Sequence, residues 1–405
     1  DNNPLAAGLE GEVVEMLSLG MTVAGLLYGA AAERPCDIYA AAGAPCVAAH
    51  SMVRALYTNY TGALYTISRA RDNSTKVISV LPATGFADTA GQVAFCTTPT
   101  PTTCTVEQIT DQSGHGNHLD RVVISQRPSI DWPTRGINAM RDELSVGGNP
   151  VFSAYFEGGQ FDAGSGTMGF RSNRLRGNAS GTAVGDEPES MYAVVSGIHY
   201  NKGCCFDYGN SEVTGCGYPG AKPCGIPPPP PPATSDGTHG AISAPPPPDG
   251  CPGCGKMEAI YWGAVNNGPT HTGAGDKHPG EGVGPWVMAD LESGVWGGND
   301  PEVNVGNTPI NTSNFVTAML KGRPGHMQIK GGDAQRGDLH VLFDGGRPKG
   351  YEVMQKQGAI VLGIGGDNSD LGEGTFYEGA VTATYTSDET DAAVHANIVA
   401  AGYGR

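Results

Sequence analysis

The sequence predicts an all-β protein, and three observations carry that reading. Glycine (62) and proline (30) are abundant among the 405 residues, charged residues make up only 16%, and no long helical or heptad pattern runs through the chain. A chain of this length can bury a substantial core, as one large all-β domain or two smaller ones. The net charge of −17 disfavours nucleic acid and anionic membrane surfaces, because phosphate binding needs a basic face; a neutral glycan fits better. Ten cysteines, an even number, indicate oxidised pairs and a secreted, extracellular setting. Sequons at Asn59, Asn73, Asn178 and Asn311 are compatible with it.

Residues 1–35 stand apart. Met16 to Ala32 is small and apolar and ends in Ala30-Ala-Ala32, like the core and cleavage site of a signal peptide. The preceding segment is acidic (Asp1, Glu10, Glu12, Glu15), and Gly20, Gly25 and Gly29 interrupt a run already short for a membrane span. A retained, ordered extension and a removed signal segment are both open. If retained, the apolar run must be covered, and an edge strand of a second copy could take it, so self-association through the N-terminal extension is expected.

From Cys36 to about Asn201, short β-rich runs alternate with turn clusters; Val77–Leu81, Val151–Phe156 and Met191–Ser196 are the clearest strands. Cys36 with Cys46, and Cys96 with Cys104, are close enough to staple small loops. Asp111-Gln-Ser-Gly-His-Gly-Asn-His118 holds Ser, His and Asp, but crowded into one turn and without a nucleophile elbow. It reads as a structured loop, with His115 and His118 hydrogen-bonded rather than ligating. The adjacent Cys204 and Cys205 can each pair elsewhere or with each other in a strained ring.

Residues 213–255 form a foreign segment, with proline runs at Pro227–Pro232 and Pro245–Pro248 bracketed by Cys216, Cys224, Cys251 and Cys254. Polyproline II makes such runs a rigid excursion. Four cysteines could form a zinc knuckle, but disulfides suit the compartment that the other cysteines indicate.

Met257–Trp262 resumes the strand pattern, and the central stretch follows. Trp286–Leu291 is an apolar run bounded by glycines that delivers Asp290 and Glu292, which strand alternation puts on one face. Buried acids are costly unless paired or used, so a solvated face or a structural cation is the alternative to chemistry. A second strand, Ala359–Ile364, runs into a Gly-Gly turn presenting Asp367 and Asn368. Two acids brought from separate strand ends into one cleft are what glycoside hydrolysis requires, one to protonate the leaving oxygen and one to attack or activate water. Glu292 and Asp367 are the candidates. Trp262 and Trp296 suit either sugar stacking or core packing. Leu339–Phe343 and Phe376–Tyr385 add further strands. Gly363-Ile-Gly-Gly366 lacks the spacing of a nucleotide loop, no metal site emerges, and no cofactor is implied.

Several blocks together carry a resemblance: Cys36-Asp-Ile-Tyr39, Ala48-Ala-His-Ser-Met-Val-Arg-Ala-Leu-Tyr57, Asp111 to Leu119, Gly203-Cys-Cys-Phe-Asp-Tyr-Gly-Asn210, Met257-Glu-Ala-Ile-Tyr261, Trp286-Val-Met-Ala-Asp-Leu-Glu292, Gly363-Ile-Gly-Gly-Asp-Asn-Ser369 and Phe376-Tyr-Glu-Gly379. In this order they resemble the catalytic domain of family 54 α-L-arabinofuranosidases, from about Pro35 to Tyr403. The resemblance implies a β-sandwich of concanavalin or jelly-roll type over residues 36–405, carrying the proline-rich insertion and preceded by the N-terminal extension. It also implies the Cys36–Cys46 and Cys96–Cys104 pairings, and a vicinal Cys204–Cys205 disulfide as a stiff apolar platform under the sugar. By position Glu292 matches the nucleophile, Asp367 the general acid/base, and Asp290 and Gly366 the sugar-binding residues; Asn368 and Trp296 complete the expected binding set. Retention calls for carboxyl groups about 5 to 5.5 Å apart. Ser293 and Gly294 stand where the family usually has two asparagines, which removes amide donors to the sugar. Many members continue into an arabinose-binding β-trefoil beyond the point matched by Arg405.

The implied function is a secreted retaining glycosidase acting on arabinose-containing polysaccharide or glycoprotein glycan, with no nucleic acid and no membrane span. The alternative is a non-catalytic extracellular matrix or fibre-forming glycoprotein on the same sandwich, which the lost asparagines and the two foreign segments favour.

Overall fold

A computed structural model describes residues 33–122, 136–158, 169–172, 179–203, 205–211, 257–264, 276–292, 294–366 and 372–404. The N-terminal extension before residue 33, the whole Pro/Cys-rich segment, Cys204, Ser293, Asp367 and Asn368 lie outside them. In chain order the first elements are α1 (Pro35–Ala41), β1 (Cys46–Ser51), β2 (Ala63–Arg69), β3 (Thr75–Ser79), α2 (Thr89–Thr97), β4 (Cys104–Ile109) and β5 (Leu119–Arg121). Next come β6 (Glu143–Val146), β7 (Asn149–Phe152), β8 (Ala154–Glu157), β9 (Phe170–Ser172), β10 (Glu189–Ser196) and β11 (Asp207–Ser211). Then follow β12 (Glu258–Gly263), β13 (Asp276–His278), β14 (Trp286–Asp290), β15 (Gly294–Trp296), β16 (Phe315–Arg323) and β17 (His326–Asp333). The last are β18 (His340–Gly346), β19 (Ala359–Leu362), β20 (Glu373–Thr382), α3 (Asp388–Ala400) and β21 (Tyr403–Gly404).

The strands form two large sheets, as the all-β reading requires. One has seven strands in the order β1-β20-β10-β16-β17-β18, with β8 also on β20; the other has eleven, in the order β13-β15-β14-β12-β11-β19-β9-β5-β4-β2-β3. A small third sheet joins β21, β6 and β7. One hydrophobic core draws Met191, Val195, Leu320 and Ile329 from the first sheet and Ile260, Trp262, Val287 and Ile360 from the second. That is the sandwich arrangement, two inner faces meeting over shared apolar side chains.

Val151–Phe156 is not one strand. It breaks at Ser153, whose hydroxyl donates to Asp142 Oδ2 at 2.8 Å, and the chain passes from the small sheet to the seven-stranded one. Both staples form as expected, Cys36–Cys46 and Cys96–Cys104. The helices were not legible as periodic runs. The longest, α3, starts at Ser387, whose side chain caps Thr390 N–H, with Asp388, Glu389 and Asp391 in its first turn. It lies on the outer face of the seven-stranded sheet, where Asp391 receives Lys330 Nζ at 2.6 Å and Lys321 Nζ at 2.8 Å. From α1, Tyr39 packs against Tyr192 of β10, ring centroids 6.2 Å apart. Helices on one face and the second sheet on the other explain why every residue of β10 is buried.

Between the sheets lies a polar network. Glu189 of β10 and Glu258 of β12 share Lys356, whose Nζ is 3.0 and 2.9 Å away, and Arg347 bridges Glu258 at 2.9 Å and Asp186 at 2.7 Å. Asn210 Nδ2 donates to Glu189 at 2.9 Å. Burial pushes Glu189 up to about 8, because its one cation is shared. Burial works the same way on Glu258, but Lys356 and Arg347 together outweigh it and hold that carboxyl below its ordinary range.

Candidate active site

The β14–β15 hairpin builds the first half of the site. β14 ends at Asp290, and Leu291 N–H donates to Gly294 O at 3.0 Å, which places Glu292 in the tight turn with φ of 85°. The expectation that alternation aims Glu292 is therefore corrected: the turn aims it, since the chain leaves the extended conformation after Asp290. Asp290 Oδ1 accepts the Glu292 N–H at 2.9 Å. A left-handed conformation costs a glutamate about 1–2 kcal/mol, and such outliers cluster at functional sites.

The second half comes from the end of β19. Between β14 and β19 in the eleven-stranded sheet stand only β12 and β11. The chain turns at Gly363 and reaches Gly366, where a Cβ would collide with Glu292 Oε2 and sit 3.1 Å from Met257 Sδ and 3.3 Å from Ser211 Oγ. A side chain at this position would have to push the carboxylate aside. Arg171 of β9 fixes it there, Nη2 donating to Gly366 O at 2.8 Å and Ser211 Oγ at 2.9 Å. The next residues, Asp367 and Asn368, lie outside the described set, and with them the Glu292–Asp367 separation.

The third contribution is the segment before β11. Cys205 is half of a disulfide, and its sulfur, an Asp207 carboxylate oxygen and an Asp290 carboxylate oxygen lie within 4.8 Å of one another, all three residues buried. A disulfide sulfur offers no thiolate, so the trio lacks the donor set of a thiolate metal site. The carbonyl of Gly203 accepts from Tyr261 Oη and from Asn201 Nδ2, both at 2.7 Å, which pins the chain just before the cysteine pair. Burial, then the Asp207 and Asp290 carboxylates, push the Tyr261 phenol well above its ordinary range, so it remains a donor.

The structure thus brings Cys205, Asp290, Glu292 and Gly366 to one face of the eleven-stranded sheet. Trp296 is a correction. Register pairs Asp290 with Val295 and Ala289 with Trp296, so Trp296 points away from Asp290 into the inter-sheet core. There it stacks on His278, ring centroids 3.3 Å apart and planes 11° from parallel. Trp262 is in the same core, its Nε1 donating to Ser196 O at 2.8 Å. The Asp111 loop is structural: the carboxylate accepts N–H groups from Ala49, Ser113 and Asn117 at 2.9, 2.9 and 3.0 Å, and His118 Nδ1 accepts from Asp111 N at 3.0 Å. Sequence reasoning passed over Asp207, Tyr261, Asn201 and Arg171. Asp207 could have been found, standing two residues after the cysteine pair at the start of a strand.

A family model described as the catalytic part of α-L-arabinofuranosidase B matches residues 35–217 and 249–404. The chain is 41% identical over 403 residues to a probable α-L-arabinofuranosidase B of Aspergillus flavus, covering 98% of this chain and 67% of that protein. To α-L-arabinofuranosidase B of Emericella nidulans it is 41% identical over 377 residues, 92% of this chain and 62% of the relative. The chain spans about two thirds of the length of these relatives. Among solved structures it resembles an arabinofuranosidase complexed with arabinofuranosyl-α-1,2-xylobiose, with TM-score 0.72, 39% identity, and coverage of 92% of this chain and 66% of that one. A family 54 α-L-arabinofuranosidase soaked with a cyclic sulfate inhibitor matches with TM-score 0.72 and 40% identity, over 91% of this chain and 66% of that one.

Proposed function

Because the chain belongs to the α-L-arabinofuranosidase B catalytic family, we propose that it is a retaining glycoside hydrolase removing terminal α-L-arabinofuranosyl residues from arabinose-containing polysaccharide or glycoprotein glycans. The observation that carries the reading is the seating of the Glu292 carboxylate against Gly366, which joins two strand ends, with Asp290 and the Cys205 disulfide on the same face. In this reading Glu292 attacks the anomeric carbon. Asp367, the residue after Gly366, protonates the departing oxygen and then activates water. Asp290, Gly366 and Asn368 hold the sugar hydroxyls, and the paired Cys204 and Cys205 form an apolar platform beneath the ring, adding contact without rotamer entropy. The absence of amide side chains at Ser293 and Gly294 weakens hydroxyl recognition and bears on KM and substrate choice.

Secretion belongs to the same proposal, supported by the cysteine chemistry and by the family. Among the described residues no helix is long and apolar enough to cross a membrane. Self-association through the N-terminal extension belongs to the same proposal; deleting residues 1–34 and measuring mass by light scattering would reject it if assembly is unchanged.

The deciding experiment is hydrolysis of an aryl α-L-arabinofuranoside by purified protein. Glu292→Gln abolishes turnover, whereas Asp367→Asn spares glycosylation by substrates with good leaving groups and slows deglycosylation. Residual activity equal in wild type and Glu292→Gln would refute the assignment.

A further inference from the structure

Among the described residues β13 is the outermost strand of the eleven-stranded sheet, next to the hairpin that carries Glu292. It runs parallel to β15, with Asp276 opposite Gly294, Lys277 opposite Val295 and His278 opposite Trp296. His278 fixes which way the strand faces. Its ring stacks on Trp296, its Nδ1 donates to Pro301 O at 2.7 Å, and its carbonyl accepts Gly297 N–H at 2.6 Å. With His278 turned to the inter-sheet core, alternation puts Lys277 on the opposite face. That is the face of the candidate site. Val295 stands between Lys277 and Asp290, in register with both, and packs there with Tyr261, Trp286 and Met288, apart from the inter-sheet core. Lys277 and Asp290 are thus two strand spacings, about 10 Å, apart at the backbone. Lys277 is only partly buried, as suits a lysine whose stem lies on apolar surface while its ammonium reaches beyond it.

We propose that Lys277 is a substrate-binding residue whose ammonium donates to a hydroxyl of the arabinofuranosyl ring held by Asp290. This deepens the arabinofuranosidase reading and rests on it for the identity of the sugar. A sugar hydroxyl both donates and accepts, whereas ionised carboxylates such as those of Asp290 and Glu292 only accept. A donor on this face therefore completes hydroxyl recognition, and Ser293 and Gly294, which follow Glu292, bring no amide side chain. Lys277 enters from the neighbouring strand, one residue along from the partner of Gly294. Its three N–H groups on a flexible stem can adjust to a hydroxyl without a fixed fork geometry.

Lys277→Met keeps an apolar stem and removes the donor. On the aryl α-L-arabinofuranoside its kcat/KM should fall by about tenfold to a hundredfold, the worth of one hydrogen bond from a charged group. Aryl glycosides lacking the 2-, 3- or 5-hydroxyl then close double cycles: on one of the three, wild type and Lys277→Met should agree within about threefold, because the bond is already missing. A penalty of the same size on all three overturns the proposal, as does an unchanged kcat/KM on the parent substrate. A loss confined to oligosaccharides bearing a uronic acid also overturns it, since Lys277 would then read an anion outside the ring. If wild type does not turn over, calorimetric binding of a non-hydrolysable aryl thio-arabinofuranoside takes the place of kcat/KM. Binding at least about tenfold weaker in Lys277→Met keeps the proposal while the glycosidase reading fails; equal binding by the two proteins, or none by either, overturns it.

Discussion

Replacing Glu189 by glutamine tests the inter-sheet network with a definite sign. In the folded protein burial pushes Glu189 from its ordinary 4.5 up to about 8. Between those values the folded state keeps a proton that the unfolded state has released, so stability falls as pH rises through the window and levels off above the folded value. At pH 7 the accumulated cost is roughly 3 kcal/mol, from 1.36 kcal/mol per unit over the distance from the unfolded value. A glutamine side chain cannot ionise, so the Glu189→Gln variant escapes this cost. The stability difference, variant minus wild type, should be near zero around pH 4.5 and grow by roughly 3 kcal/mol by pH 7. That corresponds to a Tm gap of roughly 4 °C for a domain of this size. Guanidinium unfolding followed by tryptophan fluorescence at pH 4.5, 6 and 7 measures it. A gap that shrinks or reverses with rising pH would mean Glu189 is an ordinary ionised partner of Lys356, and the reasoning would fall.

Gly366→Ala pushes a methyl into the Glu292 carboxylate, and a displacement of about 1 Å should lower kcat by about a hundredfold with a small change in Tm; steady-state kinetics check it. Glu292→Gly relieves a positive φ and should raise stability by about 1 kcal/mol while abolishing activity; a loss of stability in denaturant titrations would argue against strain at the turn. Asp391→Ala takes from Lys321 and Lys330, both nearly buried, their buried acceptor but leaves each paired with the more exposed Asp388 Oδ1, at 2.9 and 2.7 Å, and should cost roughly 1–3 kcal/mol. Hydrogen exchange should show α3 opening first.

The strands were legible because a buried strand must be apolar and short, and Trp286–Leu291 and Ala359–Ile364 are both, within two residues of their observed ends. Asp290 and Glu292 stood out in the sequence because carboxylates are costly at a buried strand end without a use, and the order of the blocks, from Cys36 to Gly379, carried the family. What strand alternation could not supply was the aim of Glu292, because the chain leaves the pleat after Asp290 and the nucleophile candidate depends on a left-handed turn closed by Gly294. Nor could it say that Trp296 faces the core: that depends on the hairpin register, which sets Trp296 opposite Ala289 and Val295 opposite Asp290. The pairing of Asp207 with Asp290, the Arg171 clamp on Gly366 and the Lys356 bridge between Glu189 and Glu258 each join residues far apart in the chain. Such contacts leave no local period or spacing behind them: the first two exist only once the eleven-stranded sheet has assembled, the third only once the two sheets have closed.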